Sequence, residues 1–159
     1  TAGATDAKFC DAQAGAEAAW QCLAAAAAGS GLVHDCGSWL DHGSLASPEF
    51  MLLVHDIVDA IRHFMEGVEV SENTLALDLI HKVGPGGHYL QEDHTLQSFR
   101  RIKYSDLFER MVLAQWEAAG SKRFEQRLQE RTLARMKHRP APLSAEQIIE
   151  LDRMHKGWK

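Results

Sequence analysis

The chain has 159 residues, 45% of them apolar and 25% charged, a size for one domain with a real core and too little for two to be assumed. The longest apolar run, residues 22–28, is alanine-rich and far short of a membrane span. The net charge of −5 is unevenly spread: residues 1–98 carry 3 Lys/Arg against 14 Asp/Glu, residues 99–139 carry 11 against 5, and the last twenty carry 3 of each.

In chain order, Asp11 is placed to cap a helix through residue 28, alanine-dominated and stopped by Gly29. LVHDC, residues 32–36, reads as a short buried strand. GSWLDHGSLAS is a loop, after which Ser47-Pro48 opens a helix to about Met65 with Leu52, Leu53, Ile57, Ala60, Ile61 and Phe64 at helical spacing. Ser71 caps a third helix, stopped by Gly84-Pro85. Further helices are predicted at 94–101, 105–118, 121–138 and 144–156, the last opened by a Ser144–Gln147 capping box after the rigid joint RPAPL. A single strand cannot satisfy its own backbone groups. The expectation is therefore the tail of an α/β repeat whose earlier strands lie upstream, and the absence of an initiating methionine agrees with it.

Several chemistries can be weighed on spacing. GPGG, residues 84–87, follows a helix instead of leading into one, so it is a helix stop and not a phosphate cradle. His88, Asp93 and His94 form one loose set of metal donors; His34, Asp35, Cys36, Asp41 and His42 form another, and neither has a specific ligand spacing. There is no GxSxG to support a serine hydrolase. The basic stretch alternates its signs and carries few aromatics, which describes a solvated helix face and not a nucleic-acid surface. Cys10, Cys22 and Cys36 are an odd number without CxxC spacing, as expected of reduced thiols in the cytoplasm.

The phrases DAQAGAEAAW (11–20), GSWLDHGSLASPEFMLLVHDIVDAIRHFMEGVEV (37–70), VGPGGHYLQEDHT (83–95) and WEAAG (116–120) together resemble the trimethylamine methyltransferase family, including its members without pyrrolysine that act on glycine betaine and other quaternary amines. The resemblance implies a (β/α)8 TIM barrel with a helical carboxy-terminal region. A barrel needs roughly 250 residues, so this chain would be its last part. Residues 1–70 would be the last βα elements and 71–159 the helical extension, mostly α-helical with one or two short strands. The implied reaction moves a methyl group from a methylated amine to the cobalt(I) of a separate corrinoid protein; cobalamin is carried by that partner and not bound by this chain. By the same resemblance, Asp11 and Gln13 of DAQAG, and His88, Tyr89 and His94 of the GPGGHYL loop, are pocket candidates. Trp39 and Asp41 join them from the strand-end position, where barrel sites lie. No pyrrolysine is visible, which favours a quaternary amine over trimethylamine.

Neither nucleic acid nor membrane is expected as a partner, and an open barrel edge favours self-association. Two rival readings stand beside this one. The piece could be a non-catalytic docking module whose basic stretch meets an acidic corrinoid or other protein, or a metal-dependent hydrolase using His88, Asp93 and His94.

Overall fold

A computed structural model describes residues 1–158. Its elements run α1 (Ala12–Ala27), β1 (Trp39–Leu40), β2 (Leu45–Ala46), α2 (Pro48–Met65), α3 (Glu72–Leu75), α4 (Leu77–Val83), α5 (Asp93–Ser98), α6 (Leu113–Ala118), α7 (Phe124–Met136) and α8 (Ala145–Lys156), with short 3-10 turns at Asp41–Gly43 and Phe99–Arg101. The chain is mostly helical, and its two strands pair antiparallel with Trp39 opposite Ala46 and Leu40 opposite Leu45.

The helix starts follow the side chains that precede them. Asp11 Oδ1 accepts the N–H groups of Gln13 and Ala14 at 3.0 and 3.1 Å, and Ser47 Oγ accepts that of Phe50 at 3.1 Å ahead of Pro48. Ser144 and Gln147 complete their reciprocal box, with N–H to side-chain oxygen distances of 2.9 and 3.2 Å. Each such cap satisfies amides that a helix cannot bond internally.

The core lies where α1 meets α2. Ala14, Ala18 and Cys22 recur every four residues on the buried face of α1, and Phe50, Leu53, Val54 and Ile57 form the matching face of α2. Phe50 is fully buried and Val54 nearly so, and the small α1 face admits them. Leu128 of α7 and Leu107 join the same core, so α7 packs across α2. The two long helices run parallel. Gly15 near the start of α1 faces Leu53 near the start of α2, and one hollow is lined by the late residues Ala26 and Met65.

Three expectations are corrected. Residues 32–36 are not a strand: they make no ladder, Leu32 is 86% exposed and Asp35 takes a left-handed φ of 57°. The pairing expected of them is made further along the chain, by residues 39–41. Thr5 N–H donates to the Trp39 carbonyl at 3.1 Å and Asp41 N–H to that of Ala7 at 3.0 Å, so residues 5–7 and 39–41 run parallel, with α1 connecting them. The loop after Cys36 thus contains the extended backbone. The third helix divides at Ala76, whose φ of 49° is left-handed, into α3 and α4. Residues 105–112 are not helical, because Ser105 Oγ accepts the amides of Leu107 and Phe108, and Glu109 Oε1 those of Arg110 and Met111. Such local side-chain bonds compete with the helical ladder.

Truncating the largest fully buried side chain tests this core. Phe50→Ala should cost about 3–5 kcal/mol, the range for a buried phenylalanine, read as a fall in the urea midpoint. Leu32→Ala, at an exposed position, should change that midpoint little.

Candidate functional site at the helix starts

Residues 1–9 lie along the edge formed by the start of α1 and the β1–β2 hairpin, and they gather a polar cluster there. Thr5 is buried; its hydroxyl donates to Glu17 Oε2 at 2.5 Å and accepts the Ala7 N–H at 3.0 Å. Glu17 also accepts from the Asp6 N–H at 3.0 Å and from Gln13 Nε2 at 2.7 Å. Beside it, His42 Nδ1 meets Asp6 Oδ1 at 2.8 Å and Lys8 Nζ meets Asp41 Oδ1 at 3.0 Å. Asp41 and His42 both hold positive φ, 47° and 52°, which turns the hairpin tip back over residues 6–8. Such conformations cost non-glycine residues energy and are kept where the surrounding structure enforces them.

The Thr5 hydroxyl, then Gln13, then the Asp6 amide hold the Glu17 carboxyl below its ordinary value of 4.5. All three donors favour its charged form. The carboxylates of Asp6, Glu17 and Asp41 thus stand with Lys8 and His42 at this edge, an acidic surface that suits a cationic ligand.

Of the residues singled out in the sequence, this edge brings together Gln13, through Glu17, and Asp41, through Lys8. Trp39 lies in β1, with its carbonyl bonded to Thr5 and the residue 37% exposed. Asp11 is spent on capping α1 and sits at the rim of an open apolar hollow of about 580 Å³ between α1, α2 and α7, lined by Cys10, Leu53, Phe108 and Phe124 among others.

His88, Tyr89 and His94 occupy a second place. Gly84, at φ 66°, ends α4 with its N–H on the Ile80 carbonyl at 3.0 Å. Gly87 closes the reversal: a Cβ there would lie 2.5 Å from Val83 Cγ1 and 2.6 Å from the Val83 carbonyl oxygen, so only glycine fits. The His94 Nε2–H donates to the Asn73 carbonyl at 2.9 Å, which fixes that nitrogen as the protonated one. Thr95 Oγ1 donates to the Tyr89 carbonyl at 2.7 Å, and Lys82 pairs with Glu92 at 2.7 Å. The His88 and Tyr89 side chains are exposed. No hydrogen bond among the described residues joins this loop to the Glu17 edge. Nor does any group of three or more His, Cys, Asp and Glu among those residues gather as a metal site, so the two donor sets read from spacing are not assembled.

The chain matches the family model described as trimethylamine methyltransferase (MTTB) over residues 1–151. The chain belongs to the trimethylamine methyltransferase family. Similar proteins include trimethylamine methyltransferase MttB of Desulfitobacterium hafniense, 34% identical over 142 residues that make up 89% of this chain and 28% of that protein. MttB of Methanosarcina thermophila is 33% identical over 148 residues, 92% of this chain and 30% of its own. A glycine betaine methyltransferase of Desulfitobacterium hafniense is 35% identical over 103 residues, 65% of this chain and 22% of its own. The chain thus spans under a third of the length of these curated family members. No helix among the described residues is long and apolar enough to cross a membrane.

Thr5, Asp6, Lys8 and Glu17 were not singled out by sequence reasoning, and His42 was noted only as one of a loose set of metal donors. One available signal was Glu17, four residues after Gln13 on a helix whose cap Asp11 already marks its start.

Because the folded Glu17 carboxyl is depressed, its contribution to stability is present above the unfolded carboxyl value and is lost as pH falls through the folded one. Glu17→Gln removes that component. The drop in urea midpoint between about pH 6 and about pH 3 should therefore be smaller in Glu17→Gln than in the parent chain.

Proposed function

We propose that this chain is the carboxy-terminal part of a (β/α)8-barrel methyltransferase that takes a methyl group from a methylated amine and passes it to a cobalt(I) corrinoid held by a separate protein. Residues 1–70 would supply the last barrel elements and 71–159 the helical extension. The observation that carries the reading is the family match across residues 1–151, with relatives named for trimethylamine and glycine betaine methyl transfer. The parallel pairing of residues 5–7 with 39–41, joined through α1, supports the barrel placement. That unit is a βαβ crossover reduced to its backbone bonds, and barrels repeat such units with sites at the strand ends where helices begin.

In that setting the edge around Glu17 faces the substrate. The reaction asks little acid–base chemistry of the protein: the cobalt(I) electron pair forms the new carbon–cobalt bond while the carbon–nitrogen pair leaves with a neutral amine. What residues can supply is a place for the cation and a fixed line of approach. Asp41, held by Lys8, and Glu17, held by Thr5 and Gln13, provide negative charge in fixed positions. Trp39, two residues before Asp41 and exposed, offers an aromatic face to an ammonium. His88, Tyr89 and His94 are assigned to a loop closing over the substrate from the extension side. The corrinoid protein, as methyl acceptor, is a substrate here, and the cytoplasm, where reduced thiols persist, is the assigned compartment.

The docking alternative rests on the basic stretch, and four of its eleven cations are paired within the chain. Arg101 pairs with Glu69, Lys103 with Asp59, Lys122 with Glu130 and Arg127 with Glu109.

The test uses the full-length protein with a reduced corrinoid protein, offered glycine betaine, other betaines or trimethylamine in parallel. Loss of the cobalt(I) spectrum with appearance of methylcobalt is expected with at least one amine; none reacting would overturn the assignment. With the reactive amine, Trp39→Leu should raise KM by roughly tenfold and leave kcat nearly unchanged, matching about 1–2 kcal/mol of cation–aromatic attraction. An unaltered KM would remove Trp39 from the site.

A further inference from the structure

Two of the three cysteines meet outside the site described above. Cys22 is on the buried face of α1, Cys36 ends the irregular connection that follows that helix, and their sulfurs lie 3.9 Å apart as free thiols. They are fourteen residues apart in sequence. The separation is short of a bond, which needs about 2.05 Å, but rotation about the Cα–Cβ bonds moves a sulfur through more than that difference. Cys22 is buried and Cys36 exposed, so one sulfur can meet a reagent and the other waits behind it.

Three segments converge on the pair. A Cβ on Gly3 would lie 3.0 Å from Cys22 Sγ and 3.2 Å from the Gly37 nitrogen, which places the amino-terminal segment directly against both. Residues 39–41, which bond to residues 5–7, begin three positions after Cys36. A covalent link here would tie α1 to the connection that feeds the acidic edge.

We propose that Cys22 and Cys36 are a reversible redox pair, closed to a disulfide by a two-electron oxidant of the peroxide class. The Cys36 thiolate attacks one peroxide oxygen, forming a sulfenic acid and releasing one water. The Cys22 sulfur then displaces the sulfenic oxygen, which leaves as a second water. Both thiol protons end in the two waters, the sulfurs are oxidised by two electrons in total, and the peroxide is reduced by two. The order follows from access. Burial, reinforced by the neighbouring Cys36, pushes the Cys22 thiol up to about 12, so Cys36 is the sulfur that reacts first. Among the described residues no second thiol meets Cys10, and burial followed by the charges of Glu49 and Asp11 pushes its thiol up to about 11. It serves as the internal control.

The experiment treats the chain with hydrogen peroxide, blocks remaining thiols and cleaves on the amino side of aspartates. The three cysteines then fall in separate peptides, residues 6–10, 11–34 and 35–40. The expected result is a cross-linked pair of peptides 11–34 and 35–40, two hydrogens lighter than their sum, with peptide 6–10 still alkylated. Dithiothreitol restores three free thiols. The link is absent in Cys36→Ser, a change at an exposed position whose folding is checked by circular dichroism, and present in Cys10→Ser. Oxidation should also raise the melting temperature of the parent chain, because closing the loop restricts the unfolded state, and leave that of Cys36→Ser unchanged. Alkylation of both Cys22 and Cys36 after peroxide would overturn the proposal. So would oxidation of Cys36 to sulfinic acid without a link, or links found only between chains.

Discussion

The contact between a small-residue helix and a large-residue helix sets the rest of the structure. Ala14 and Ala18 present almost no side chain, Leu53 of α2 faces Gly15 of α1, and Phe50 and Val54 are buried in the same core. Burial of this kind is worth about 1.5–3 kcal/mol for each large side chain. Because the helices pack in parallel, both begin at one edge, and the segments leading into them are brought side by side. The backbone bonds between residues 5–7 and 39–41 follow from that arrangement. So does the approach of Gly3 to Cys22 and Gly37, which leaves no room for a side chain.

At that edge the charges are held by bonds and not left to solvent. Glu17 receives three donors from Thr5, Asp6 and Gln13. Lys8 and His42 each meet one carboxylate across the gap between the amino-terminal segment and the hairpin tip. Exposed pairs of this sort contribute little stability; their value is in fixing where negative charge stands.

The second half is held more loosely. Helix α8 buries none of its residues, and α3, α4 and α5 are short turns pinned by side-chain bonds such as His94 to Asn73 and Lys82 to Glu92. Large apolar side chains including Leu90, Leu113, Ile149 and Trp158 remain exposed there. The chain matches less than a third of its relatives' length.

Local chemistry was legible in the sequence because it acts over four residues or fewer. Asp11, Ser47-Pro48 and Ser144 with Gln147 mark helix starts that the structure repeats, and Gly84 marks a stop. The motifs DAQAG and GPGGHYL carried the family. What the sequence could not supply was pairing between distant segments. An apolar run such as residues 32–36 looks like a strand, but a strand exists only where a neighbour accepts its hydrogen bonds, and the neighbour of residues 5–7 proved to be 39–41. Glu17 as the hub of an acidic edge, and Cys22 within reach of Cys36, likewise depend on how α1 folds back against its flanking segments. Spacing along a chain reports periodicity; only packing brings together groups that periodicity keeps apart.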